Sequence, residues 1–263
     1  MFRGLKDRGE NPGGMSMRTF SFAVVLLFGG VIVADDVLDL VKKLKSSDTD
    51  ERRQAAAEIG KLKGEAKSAG PDIIAALRKE TDKYVRKFLT QALGAIGADP
   101  KMAVPVLTLL LREPSKDIIE AALGSLGKMG ADGVTPLVDF LSDTPRGDMK
   151  KKGGDKGGSV LKSDPDGAMR TRAASALGEI GPQAKAAVPV LVNTLKNTTA
   201  RIEAATALGK IGPDAKEALK PLRDFMEDKN ARRDKNFMQA VGTAVRQIES
   251  GGKGDMKGKK KKG

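Results

Sequence analysis

Apolar residues recur through most of this chain at helical spacing, in paired runs. Between Asp166 and Lys196, Ala173, Ala174, Leu177 and Ile180 form one such run, and Val188, Leu191 and Leu195 form the next. The interval is near 3.6 residues rather than 2, so the two runs are two helices and not a hairpin. The pair then repeats. QALGAIG surrounds Gly94, GSLGKMG surrounds Gly127, SALGEIG surrounds Gly178 and TALGKIG surrounds Gly209. A weaker copy surrounds Gly60, and a degenerate one, QAVGTAV, surrounds Gly242. The central glycines lie 34, 33, 51, 31 and 33 residues apart. Such self-similarity predicts an array of supersecondary units, each burying its apolar face against the next.

Start and stop signals recur in step. Twelve residues before the central glycines stand Asp48, Asp82, Ser115, Asp166, Asn197 and Asn230, all residue types that can cap a helix N-terminus. Arg52, Arg86, Arg170 and Arg201 follow four residues later in four of the six units. Gly97, Gly130, Gly181 and Gly212 lie three residues past the central glycine, where a left-handed residue ends a helix. The second helix carries Pro71, Pro105, Pro136, Pro189 or Pro221, which a helix accepts in its first turn. The repeated glycines Gly60, Gly94, Gly127, Gly178, Gly209 and Gly242 fall inside the first helix, where each costs about 1 kcal/mol relative to alanine. Close approach of neighbouring helices is the compensation expected.

The phrase R-x-x-A-x-x-A-L-G-x-I-G followed by A-x-x-A-V-P-x-L resembles the HEAT-like repeats of phycobilisome-lyase type, over roughly Asp36 to Ser250. An ankyrin reading needs a histidine phrase the chain lacks, and a tetratricopeptide reading needs more aromatics than Tyr84, Phe88, Phe140, Phe225 and Phe237. The resemblance implies an all-α, right-handed α-solenoid of about six helix-pair repeats, with the second helix of each pair lining the concave surface. It also implies that the recurring Asp and Arg positions are structural. Relatives of this architecture include bilin lyases and a hydroxylase that holds iron with His-Glu pairs, so a lyase-like or oxidoreductase-like enzyme is the distant alternative.

Composition bears on that alternative directly. With no His and no Cys, the chain lacks the commonest general base, the commonest soft metal ligands and two standard nucleophile arrangements. No catalytic residue, metal site or cofactor is expected. The ends add a location. Arg18, the apolar run Phe22 to Val33 and the small Ala34 make a secretory signal peptide, with Asp35 as the expected mature start. Residues 1–34 are read as an extension plus this signal, beginning at Met1, Met15 or Met17, and 35–250 as the array. The protein is therefore expected to be exported, periplasmic or extracellular; an uncleaved membrane anchor is the alternative.

The formal net charge is +13, of which the last 13 residues carry +5. The tail 251–263, rich in Gly and Lys, is expected to be disordered, and the long step between Gly127 and Gly178 predicts an inserted loop at about 143–166. Lys150, Lys151 and Lys152 in that loop, with Lys259, Lys260, Lys261 and Lys262 in the tail, are candidate contacts for an anionic polymer or envelope surface. Nucleic acid is disfavoured by the export signal and by scarce aromatics for base stacking. On the second helices, if Val104, Leu107 and Leu111 face inward, then Val106 and Leu109 point outward, as do Val190, Val192 and Asn193 two units on. These are the candidate contacts with another protein, and a binding scaffold is the function expected.

Overall fold

A computed structural model of the chain describes residues 34–142 and 167–251. Twelve α-helices account for most of them, and there is no strand among the described residues. They run α1 (Ala34–Lys43), α2 (Thr49–Leu62), α3 (Gly70–Lys79), α4 (Lys83–Ala95), α5 (Pro100–Leu110) and α6 (Lys116–Gly127), then α7 (Val134–Ser142), α8 (Ala168–Ile180), α9 (Val188–Thr194), α10 (Arg201–Ile211), α11 (Leu219–Glu227) and α12 (Lys235–Glu249). The even-numbered helices stack side by side, each against the next, in one layer. The odd-numbered helices form the second layer, each packed on the even-numbered helix that follows it. Twelve helices amount to six pairs, but the array is offset by half a pair. It opens on a second-layer helix, α1, and closes on a first-layer helix, α12.

The first layer is close-packed because small residues meet across it. A β-carbon added at Gly94 would stand 2.7 Å from Ser125 Cα, at Gly127 3.0 Å from Ala176 Cβ, at Gly178 3.1 Å from Ala207 Cα, and at Gly209 2.9 Å from Ala244 Cα. Gly60 is looser, at an ordinary 3.6 Å from Ala92 Cα. At the tightest contact a hydrogen bond crosses the interface, Ser125 Oγ donating to the Thr90 carbonyl at 2.7 Å. The stack runs on from α6 to α8, so the 143–166 stretch interrupts the sequence without interrupting the layer. The core is one continuous apolar cluster from Val37 to Ile248.

The final unit departs from the sequence reading by one helical turn. Gly242 does not occupy the repeat-glycine seat: nothing comes nearer its β-carbon position than Arg246 Nη1, at 3.9 Å. Asn230 does not cap α12 either; it precedes a 3₁₀ turn, Ala231–Arg233, without a side-chain cap bond, and Asp234 accepts the Phe237 N–H at 3.0 Å instead. Counting twelve from Asp234 puts Arg246 in the glycine seat, and Ala244, two residues earlier, is the side chain that meets Gly209. The opposite end of the column is also charged. Two residues before Gly60, where later units carry Ala92, Ser125, Ala176 and Ala207, α2 carries Glu58.

The other caps vary. Asp48 accepts the Asp50 N–H at 2.8 Å, and Asp82 accepts those of Tyr84 and Val85 at 3.0 and 2.9 Å. Ser115 holds the N-cap position of α6 without a side-chain cap bond; its carbonyl takes the Ile118 and Ile119 N–H groups. Asn197 accepts from Thr199 and Ala200, capping a turn that leads into α10 rather than the helix itself. Asp166 lies outside the described residues, and α8 follows Gly167 at φ +66°. Between layers, Gly181 and Gly212 open the connecting 3₁₀ segments at φ 72°, ψ −136° and φ 74°, ψ −139°. In the first pair Lys63 fills the same seat at φ 52°, ψ −134°, the only non-glycine positive φ among the described residues. Pro105 sits in the interior of α5, not in its first turn, because that helix starts early behind an Asp99 cap.

Candidate protein-contact face

Side-chain chemistry on this scaffold begins with the arginine column, where carboxylates already occupy Arg52, Arg86 and Arg201. Arg52 donates through Nε and Nη2 to Glu80 at 2.7 and 3.2 Å, and through Nη1 to the Ser46 carbonyl at 3.0 Å. Arg86 donates to Glu113 at 2.6 Å and to the Leu77 and Glu80 carbonyls at 3.2 and 3.1 Å. Arg201 reaches Asp234 at 2.7 Å and lies 4.7 Å over the Phe237 ring. Each guanidinium thereby ties the start of a first-layer helix to the end of the preceding second-layer helix or to the next unit. Glu80 serves both neighbours, its carboxylate taking Arg52 and its carbonyl taking Arg86. The Arg52 hydrogen bond, helped by N–H donation from Asp82 and Thr81, holds the Glu80 carboxyl below its ordinary range. In the third unit Ile119 takes the arginine position and is buried.

The second layer offers a different surface, and the structure revises its expected membership. Leu107 and Leu111 are buried, and Leu109 is 66% exposed. Val106 is buried instead of outward, and Val104 is half-buried instead of inward. The reason is that α5 lies between α3 and the Gly130–Gly133 segment, so it buries a wider arc than one inward stripe. Val190 and Val192 are half-buried against the core, leaving Asn193 as the exposed member on α9. Lys150, Lys151, Lys152, Lys259, Lys260, Lys261 and Lys262 lie outside the described residues.

Two outward residues of α5 were missed. Met102 is 45% exposed, and Pro105 is exposed with it. With Leu109 they form a row at i, i+3 and i+7 on one helix face. The signal was present: from Met102 to Leu111, Thr108 is the one residue that is not apolar, more than a two-layer helix needs for its inner face. At the place of Leu109, α3, α7, α9 and α11 carry Ala75, Asp139, Asn193 and Asp224. Among the described residues no cluster of three or more His, Cys, Asp and Glu side chains is arranged to hold a metal ion.

A family model described as HEAT repeats matches residues 70–152 and 158–240, more than half of the chain. The chain belongs to the HEAT-repeat family. The two matched stretches of this HEAT-repeat protein are separated within the inserted segment, in keeping with the uninterrupted stacking of α6 on α8. A solved structure of similar fold is the complex of CpcE and CpcF of phycocyanin lyase from Nostoc sp. PCC7120. It is 24% identical at a TM-score of 0.51, covering 85% of this chain and 80% of that one, a likeness of fold. No curated protein matches significantly.

Proposed function

We propose that this HEAT-repeat array is an exported, non-catalytic scaffold whose task is to bind another protein. The observation that carries the reading is the row Met102, Pro105 and Leu109, apolar and solvent-exposed on a helix whose inner face is already fully used by the core. Exposed apolar surface held on stacked helices is suited to docking, because little ordering entropy is lost on contact. The phycocyanin lyase structure supports the reading because a chain of similar fold is there part of a complex of two proteins, CpcE and CpcF. The absence of His and Cys from the sequence removes the commonest catalytic groups. Export rests on the apolar run Phe22–Val33 and its flanks in the sequence.

Affinity capture from the native envelope fraction, with the full chain as bait, tests the reading. Partner proteins are expected to remain bound at about 0.5 M salt, where long-range charge attraction is screened. Capture that yields no protein, or only material released by salt, overturns it. A reporter active only outside the cytoplasm, fused to residues 15–40, tests export separately.

A further inference from the structure

We infer that the outward face of α3 and α5 docks an amphipathic helical segment of a partner protein, one with carboxylates flanking its apolar side; this rests on the scaffold reading above. The apolar row runs from Met102 to Leu109, two helical turns or about 10 Å, a length suited to the i, i+3/i+4, i+7 anchors of a docked helix. Pro71 and Ala75 of α3 are exposed beside it. Four exposed cations frame the patch: Lys101 and Arg112 at the two ends of α5, with Arg78 and Lys79 at the end of α3.

Among the described residues none of these four has an ion pair, whereas Arg52, Arg86 and Arg201 all do. Three of them stand at helix C-termini, where the backbone dipole favours a cation. Lys101 stands at the N-terminus of α5, where the dipole opposes it, so helix stability does not account for its charge. Of the carboxylates beside these cations along the chain, Asp72 and Asp99 stand at helix N-termini, with Asp99 engaged with the Lys101 N–H, and Glu80 and Glu113 are taken by Arg52 and Arg86. Nor does the fold require the apolar row, since the equivalent exposed positions of α9 and α11 carry Asn193 and Asp224. An apolar strip with unmatched positive edges complements an apolar strip with negative edges. A bilayer fits less well because the strip has no aromatic anchor.

The test is a display selection against the full-length protein with random peptides of about 16 residues, some four helical turns. Enriched peptides are expected to share apolar residues at i, i+3/i+4 and i+7, with Asp or Glu alongside. Leu109→Glu should weaken the best synthetic peptide at least about tenfold, while Thr206→Glu, on the exposed side of α10, leaves it unchanged. Lys101→Glu combined with Arg112→Glu should shift preference to a lysine-flanked version of the same peptide. Circular dichroism of each variant separates misfolding from lost contact. Enrichment of peptides without acidic residues, or affinity untouched by Leu109→Glu, overturns the assignment and leaves the scaffold reading standing. Selection of no peptide, together with Leu109-dependent binding to phosphatidylserine-rich vesicles, overturns it in favour of a membrane surface. Failure of the native capture experiment would instead remove the scaffold reading itself.

Discussion

Glycine has opposite meanings at Gly94 and Gly242, although the sequence around them looks alike. At Gly94 a methyl group would run into the Ser125 backbone, so Gly94→Ala should cost about 1–3 kcal/mol by overpacking. At Gly242 the space is open and the helix gains from a side chain, so Gly242→Ala should stabilise by about 0.5–1 kcal/mol. Urea melts of the two variants read the sign directly; the same sign at both sites would remove the close-approach explanation. Lys63 is the reverse case, a side chain in a glycine seat. Its backbone matches that of Gly181 and Gly212, a conformation that costs a residue with a β-carbon on the order of 1–3 kcal/mol. Lys63→Gly is expected to raise Tm, and a lowered Tm would mean that the lysine makes a compensating contact. Neither distinction was readable from the chain, because both depend on what stands opposite in the neighbouring helix.

Helices here are joined as much by their ends as by their faces, and the Arg52–Glu80 pair is the clearest joint. A carboxylate whose pKa is lowered by folding contributes its full stability above the unfolded value, about 4.3, and loses it as pH falls through the lower folded value. Glu80→Gln should therefore cost about 2 kcal/mol at neutral pH, with the difference from the parent shrinking towards pH 3. A difference that stays constant with pH would show that the charge is not what matters. Cap substitutions test the register of the last helix: Asp234→Ala should cost about 1 kcal/mol and Asn230→Ala almost nothing. The reverse order would restore the sequence-based register. The helix pairs themselves were legible because periodicity, capping residues and terminal glycines all agree within each unit. The arginine partners were not, since Glu80 and Glu113 lie 28 and 27 residues from Arg52 and Arg86. The α12 register was missed because QAVGTAV imitates the repeat while the true seat holds Arg246. Helix α1 was missed because one helix alone carries no repeat phrase, although Val37, Leu40, Val41 and Leu44 are buried. On α5 the inward stripe was too narrow a guide, because a helix flanked on both sides hides Val106 as well.

At the scale of the whole array, the first-layer column of small residues begins at Glu58 and ends at Arg246. A charged side chain in either seat opposes the glycine-to-alanine fit that joins interior units. Addition of a unit at either end is therefore expected to be disfavoured. Growth from within is not blocked. Gly181 and Gly212 are 31 residues apart and share one backbone geometry, so the segment 182–212 is a cassette whose two cut ends superimpose. A tandem copy of 182–212 should fold into a longer array with a larger urea m-value, whereas the same cassette appended after Ser250 should not join the cooperative unit. If the appended copy folds with the rest, the charged ends are not barriers. If it does not, a lineage carrying this protein could lengthen it only by recombination between interior repeats. Length variants of such an array would then differ in their middle units while sharing both ends.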